Sequence, residues 1–144
     1  MNELKTKYDV IVAGAGIAGI SAAVKAAREG VSVLLIEHYG FVGGMSTAGM
    51  VSPFMKHSVN GETLVRGVFE DIEKEMRNRN GMIDNGFYAS SFRAASFNLL
   101  QNADCNVLLH AEILKVNRIG NIIDSLTVLI NGIEYVIRAK VFID

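Results

Sequence analysis

Residues 8–19 read Tyr-Asp-Val-Ile-Val-Ala-Gly-Ala-Gly-Ile-Ala-Gly, and Glu37 closes the segment that follows. The apolar run at 10–13 is a strand pattern. Gly14, Gly16 and Gly19 then supply G-x-G-x-x-G at the strand-to-helix turn. A second apolar run over 31–36 ends in the acid. A glycine trio alone is weak evidence. Placed after a strand, at the opening of a helix, with an acid about 20 residues on, it is the dinucleotide-binding fingerprint. Each residue type has a physical task. Gly14 permits the tight turn, Gly16 lets a pyrophosphate approach the backbone, and Gly19 lets the helix pack closely on the strands. The helix opens at Ile17 and Ala18, where free N–H groups and the positive dipole end favour phosphate. Glu37 accepts hydrogen bonds from a ribose diol and repels a 2′-phosphate, so an NADP-type ligand is disfavoured.

Composition narrows the class. The chain has 144 residues, which fits one domain. With 50% hydrophobic and 20% charged residues, a packed core is expected and disorder is not. The net charge of -1, with both signs interspersed, carries no nucleic-acid footprint and no patch for an anionic membrane. Cys105 is the single cysteine, so there is no internal disulfide and no redox pair. A reducing, cytoplasmic setting is expected. The uncharged stretch 10–24 is too short and too broken by glycine to span a bilayer, and its glycines sit at cofactor spacing, not in a signal-peptide core.

Along the chain, residues 17–29 form the first helix, with Gly30 as its stop. Residues 39–61 are glycine-rich and aperiodic, a long loop of the kind that is usually functional or disordered. Leu64, Val65, Val68, Phe69, Ile72 and Met76 recur at helical spacing, and Gly81 ends that helix. Phe92, Ala95, Leu99, Leu100 and Ala103 mark the next one, with Ser90 or Ser91 as cap. A strand follows at 106–110. Then 111–116, 122–130 and 133–143 are β-rich, with turns at 117–121 and at Asn131-Gly132, a strong hairpin signal. The third parallel strand is thus followed by an antiparallel meander in place of another helix.

The run from Tyr8 to Glu37 resembles the N-terminal FAD motif of the glutathione-reductase-like flavoproteins. Ala23 and Gly30 fit that family's longer pattern. The position at the extreme N-terminus, the Gly43-Gly44 pair after Glu37 and the meander all favour FAD over a nicotinamide cofactor. More narrowly, Glu37-His-Tyr-Gly-Phe-Val-Gly-Gly-Met-Ser-Thr-Ala-Gly49 and Ala139-Lys-Val-Phe-Ile-Asp144 resemble a group of bacterial FAD-dependent oxidoreductases. The resemblance implies an α/β fold, a three-layer FAD/NAD(P)-binding Rossmann-like domain in which a β-meander replaces the third crossover helix. It implies that residues 1–144 are an FAD-binding domain, incomplete at its C-terminus, without the substrate domain and without the small-Thr-Gly turn that closes on the flavin nucleotide. Apolar surface left uncovered would favour self-association.

The resemblance also extends the site. It places Gly43, Gly44, Met45 and Ser46 along the ribose and pyrophosphate, with Ser46 and Thr47 as hydrogen-bond donors and Gly49 nearer the flavin. It gives the main chain of Ile113 the adenine edge, while the Ile113 side chain belongs to the core. His38 lies at the nucleotide rim or in solvent. His57 reads as a solvated loop residue, His110 as packed or capping, and Cys105 as a small hydrophobe. Glu70, Asp71, Glu73 and Glu75 read as a solvated helix face with no metal spacing. Met45, Met50 and Met55 either line a flavin pocket or fill core. No residue qualifies as a catalytic acid or base. The implied function is flavin-dependent redox chemistry on a small-molecule substrate. An NAD-binding dehydrogenase fragment and a non-catalytic nucleotide-binding module are the alternatives.

Overall fold

The computed structural model describes residues 5–60, 62–84 and 86–144; the loop end expected at position 61 lies outside the described residues. In chain order the elements are β1 (Lys7–Ala13), α1 (Ile17–Arg28), β2 (Val33–Ile36), a single 3-10 turn (Gly44–Ser46), β3 (Ser58–Val59), β4 (Glu62–Thr63) and α2 (Val68–Asn78). After them come β5 (Met82–Ile83), β6 (Gly86–Phe87), α3 (Ala89–Asn102), β7 (Asn106–Leu108), β8 (Ala111–Ile119), β9 (Ile122–Ile130) and β10 (Ile133–Ile143). Six strands form one sheet in the order β7-β2-β1-β10-β9-β8. β7, β2, β1 and β10 pair with one another in parallel, and β10, β9 and β8 form an antiparallel meander.

β10 belongs to both halves. Its residues 133–138 pair with β9, and residues 138–143 pair with β1. The meander therefore folds back over the parallel strands and returns its last strand to the centre of the sheet. Alternation along β1 and β2 sorts the side chains between two cores, as the two-residue period requires. Val10, Val12, Val33 and Leu35 face the helices, where Ile20, Val24, Ile72, Met76, Phe92 and Leu100 are buried. Ile11, Leu34 and Ile36 face the meander and pack with Leu126, Val128 and Ile137. The result is three layers: helices, parallel sheet, meander. This is the α/β Rossmann-like architecture expected from the sequence.

Several boundaries differ from expectation for local reasons. α2 opens at Val68, not at 64, because Gly67 adopts φ +75 and its N–H is taken by the Glu70 carboxylate at 2.9 Å. Leu64 and Val65 are consequently exposed. α3 opens at Ala89 with Tyr88 as N-cap and no side-chain cap, so neither Ser90 nor Ser91 caps it. β8 continues through two irregularities to Ile119, and the turn to β9 shrinks to the residues after it. The long loop is anchored, not loose. The Ser52 hydroxyl donates to the Phe87 carbonyl at 2.9 Å and accepts the Phe87 N–H at 3.0 Å. Phe54 beds among Phe69, Phe87 and Phe92 with ring centroids 4.9, 4.4 and 6.1 Å away.

Candidate nucleotide site

The site forms where β1 ends and α1 begins, at the carboxyl edge of the parallel strands, the usual place for a ligand in such sheets. Gly14 holds φ +87 and donates its N–H to the Ile36 carbonyl at 2.8 Å, which ties the turn to the end of β2. Gly16 is the N-cap of α1, and a Cβ built on it would meet nothing within 4 Å. A Cβ on Gly19 would lie 1.9 Å from the Gly14 carbonyl oxygen. The three glycines thus have different tasks: conformation, open approach and close packing. No side chain caps α1 and its first turn holds no acid, while Lys25 and Arg28 occupy the last turn. The N–H groups at Ile17 and Ala18 stand at an end that favours an anion.

The second glycine segment docks onto the first. Gly43, at φ +121, donates its N–H to the Ala15 carbonyl at 2.7 Å. A Cβ on Gly44 would lie 2.9 Å from Gly16 Cα, so only glycine permits this approach. The 3-10 turn then presents Met45 and Ser46 beside the glycines. Met45 is largely exposed and Ser46 half-buried. Thr47 does not face a ligand: it is buried, and its hydroxyl donates to the Val42 carbonyl at 3.0 Å. Met50 and Met55 are each 77% exposed, so they are not core filling.

Glu37 is 6% exposed. One carboxylate oxygen accepts the Ala15 N–H at 2.7 Å, and the other accepts the Tyr39 N–H at 2.8 Å. Its main chain bridges to the meander: the N–H donates to Leu108 and the carbonyl accepts from Ala111. That bridge brings β8, and with it Ile113, to the end of β2. The Ile113 side chain packs in the meander core, and β8 is an edge strand. His38 is exposed beside Tyr39 and lines a cavity of about 600 Å³ with Phe41, His110, Glu112 and Asn131.

Several other titratable groups have structural partners. His57 lies within 3.6 Å of Glu73 and against the Phe69 ring, with its other nitrogen 3.2 Å from the Met55 carbonyl, so it is a loop anchor and not a solvated residue. Glu73 and Glu75 pair with Arg77 and Arg79, and Asp71 pairs with Arg28 of α1. Among the described residues no acidic or histidine cluster is arranged to hold a metal ion. Burial pushes the Cys105 thiol up to about 11, and it donates to the Ala23 carbonyl at 3.3 Å. Such a thiol is packing, not a nucleophile.

A dinucleotide fits these residues. The space at Gly16 is open, the first turn of α1 holds no acid, and the Glu37 carboxylate keeps lone pairs beyond the two in use. The sequence pattern did not reveal the bond from Ala15 to Glu37 or the internal duty of Thr47, because both depend on how two distant segments meet.

Comparison with known proteins bears on which nucleotide. The myxobacterial chondrochloren halogenase CndH, a FAD-dependent halogenase, superposes with a TM-score of 0.67 at 17% identity, over 96% of this chain and 37% of its own. L-proline dehydrogenase from P. horikoshii gives 0.68 at 14%, over 96% and 52%. The 3-ketosteroid-delta4-(5alpha)-dehydrogenase from Rhodococcus jostii RHA1 gives 0.66 at 13%, over 97% and 46%. These likenesses are of fold, and the chain spans about half or less of each protein's length. No curated protein matches. Among the described residues no helix is long and apolar enough to cross a membrane. The family described as FAD dependent oxidoreductase matches residues 9–144, nearly the whole chain, so the protein belongs to that family and its cofactor is FAD.

Proposed function

We propose that residues 1–144 form the FAD-binding portion of a flavin-dependent oxidoreductase of the glutathione-reductase-like type, acting on a small-molecule substrate in the cytoplasm. One observation carries the reading. The side-chain-free approach at Gly16, the uncapped start of α1 and the docked Gly43-Gly44 pair together make a cradle lined by backbone. The N–H groups at Ile17 and Ala18 hold the pyrophosphate, and Gly14 and Gly19 fix the turn that aims them. Glu37 takes the ribose hydroxyls, with His38 at the rim. The Ile113 main chain meets the adenine edge. Met45 and Ser46 carry the site onward from Gly44 toward the redox-active ring.

When bound, the flavin supplies the acceptance and return of an electron pair, which no side chain here provides. The chain's own residues bind and orient; none is assigned as a catalytic acid or base. Substrate selection belongs to parts of the protein outside these residues. That assignment is in keeping with relatives of which this chain spans 37% to 52%. The test is to denature the purified chain and identify the released small molecule by mass, with and without prior incubation with FAD. FAD is expected. Release of NAD, or failure to take up FAD, would sink the reading.

A further inference from the structure

We infer that Glu37 is a positioning residue that assembles the pyrophosphate cradle before any nucleotide arrives, a task distinct from touching the ribose. The inference rests on the FAD-binding reading above. The cradle is made of two segments distant in sequence, the turn at 14–16 and the glycine pair at 43–44. They meet at the main chain of Ala15. Its N–H donates to Glu37 Oε2 at 2.7 Å, and its carbonyl accepts the Gly43 N–H at 2.7 Å. The two peptide groups that flank Ala15 are thereby pinned, the Gly14–Ala15 group by the acid and the Ala15–Gly16 group by the glycine pair.

Glu37 can act as a fixed post because it is itself held at three points besides Ala15. Its main chain bonds Leu108 and Ala111 at 2.8 and 3.0 Å, and Oε1 accepts the Tyr39 N–H at 2.8 Å. Tyr39 lies on the segment that leads to Gly43, so the carboxylate bridges the start of one cradle segment to the middle of the other. Ala15 is fully buried and Glu37 nearly so, which leaves little water to replace the acceptor. An unpaired buried N–H is costly, so the turn would shift to satisfy it. The tolerance is small, since Gly44 already approaches Gly16 Cα so closely that an added Cβ would stand 2.9 Å away.

The test uses two readouts on nucleotide-free protein, amide exchange by NMR and affinity for inorganic pyrophosphate, which has no ribose. In Glu37→Ala, exchange at Ala15 and Gly43 is expected to rise about tenfold or more, and pyrophosphate affinity to fall about tenfold. Exchange at Leu100, inside α3, is expected to stay at the wild-type rate. If the Ala variant does not fold, Glu37→Leu, of similar size and with no acceptor atom, is measured in the same way. Wild-type exchange at Ala15, wild-type affinity for pyrophosphate, or an equal rise at Leu100 overturns the inference. If wild-type protein takes up neither FAD nor pyrophosphate, the binding reading fails on its own, and the exchange rates still decide the role of Glu37.

Discussion

At the scale of single residues, the glycines of the fingerprint separate folding from binding. Gly19→Ala gains about 1 kcal/mol of helix propensity. It also drives a Cβ to 1.9 Å from the Gly14 carbonyl oxygen, which is backbone and cannot swing aside. Forcing helix and turn apart costs more than the propensity returns, so a net loss of roughly 1–2 kcal/mol is expected. Chemical denaturation of nucleotide-free protein measures it. Gly16→Ala is the opposite case. Its Cβ meets nothing within 4 Å and its φ of -70 suits any residue. Stability is expected to stay nearly unchanged, since the loss of an N-cap glycine offsets the stiffer unfolded chain, while affinity for FAD falls at least tenfold by titration, because the added methyl stands in the phosphate's approach. Equal effects of the two substitutions on stability and affinity would show that the glycines are interchangeable.

At the scale of elements, the parallel strands are held at the end opposite the nucleotide by one acid. Asp9 of β1 accepts the Ser32 N–H at 2.9 Å, the Ser32 hydroxyl at 2.7 Å and the Lys140 ammonium of β10 at 2.7 Å. The Lys140 hydrogen bond first, and those from Ser32 next, hold the Asp9 carboxyl well below the usual carboxylate range. A depressed folded value stabilises above the unfolded value of about 4 and is lost as pH falls toward the folded one. Asp9→Asn should therefore lower the denaturation midpoint at pH 7, and the gap from wild type should close below about pH 4. A gap independent of pH would remove the ion pair as its cause. None of this is legible in sequence, because Lys140 reaches Asp9 only when β10 inserts beside β1. What is legible is local. The glycine spacing gives the turn and α1, β-branched runs give the strands, and Asn131-Gly132 gives the hairpin. The start of α2 is not legible, since the positive φ of Gly67 cuts a helical apolar pattern that reaches back to Leu64. The Glu37–Ala15 bond is equally hidden. Spacing names the acid but not the buried donor it satisfies.

At the scale of the whole molecule, the two cores and the site couple through stability. A ligand that binds only the folded chain stabilises it by RT ln(1 + [L]/Kd), about 2.7 kcal/mol at a hundredfold excess over Kd. For a chain of this size that is roughly 5–10 °C in Tm. Phe92 is fully buried in the helix-side core, against Phe54 and Phe87. Phe92→Ala should cost about 3–5 kcal/mol and lower Tm with and without FAD. The increment that FAD adds should survive, because the cradle is held by main-chain and carboxylate bonds of the β1–α1 turn, Glu37 and the Gly43-Gly44 pair. Gly16→Ala should do the reverse: an unchanged Tm without FAD and a reduced increment with it. Thermal scans of the three proteins at fixed FAD concentration separate core from site. An increment lost in Phe92→Ala would mean that the helix layer carries the cradle, and the division of labour between the fingerprint turn and the core would have to be redrawn.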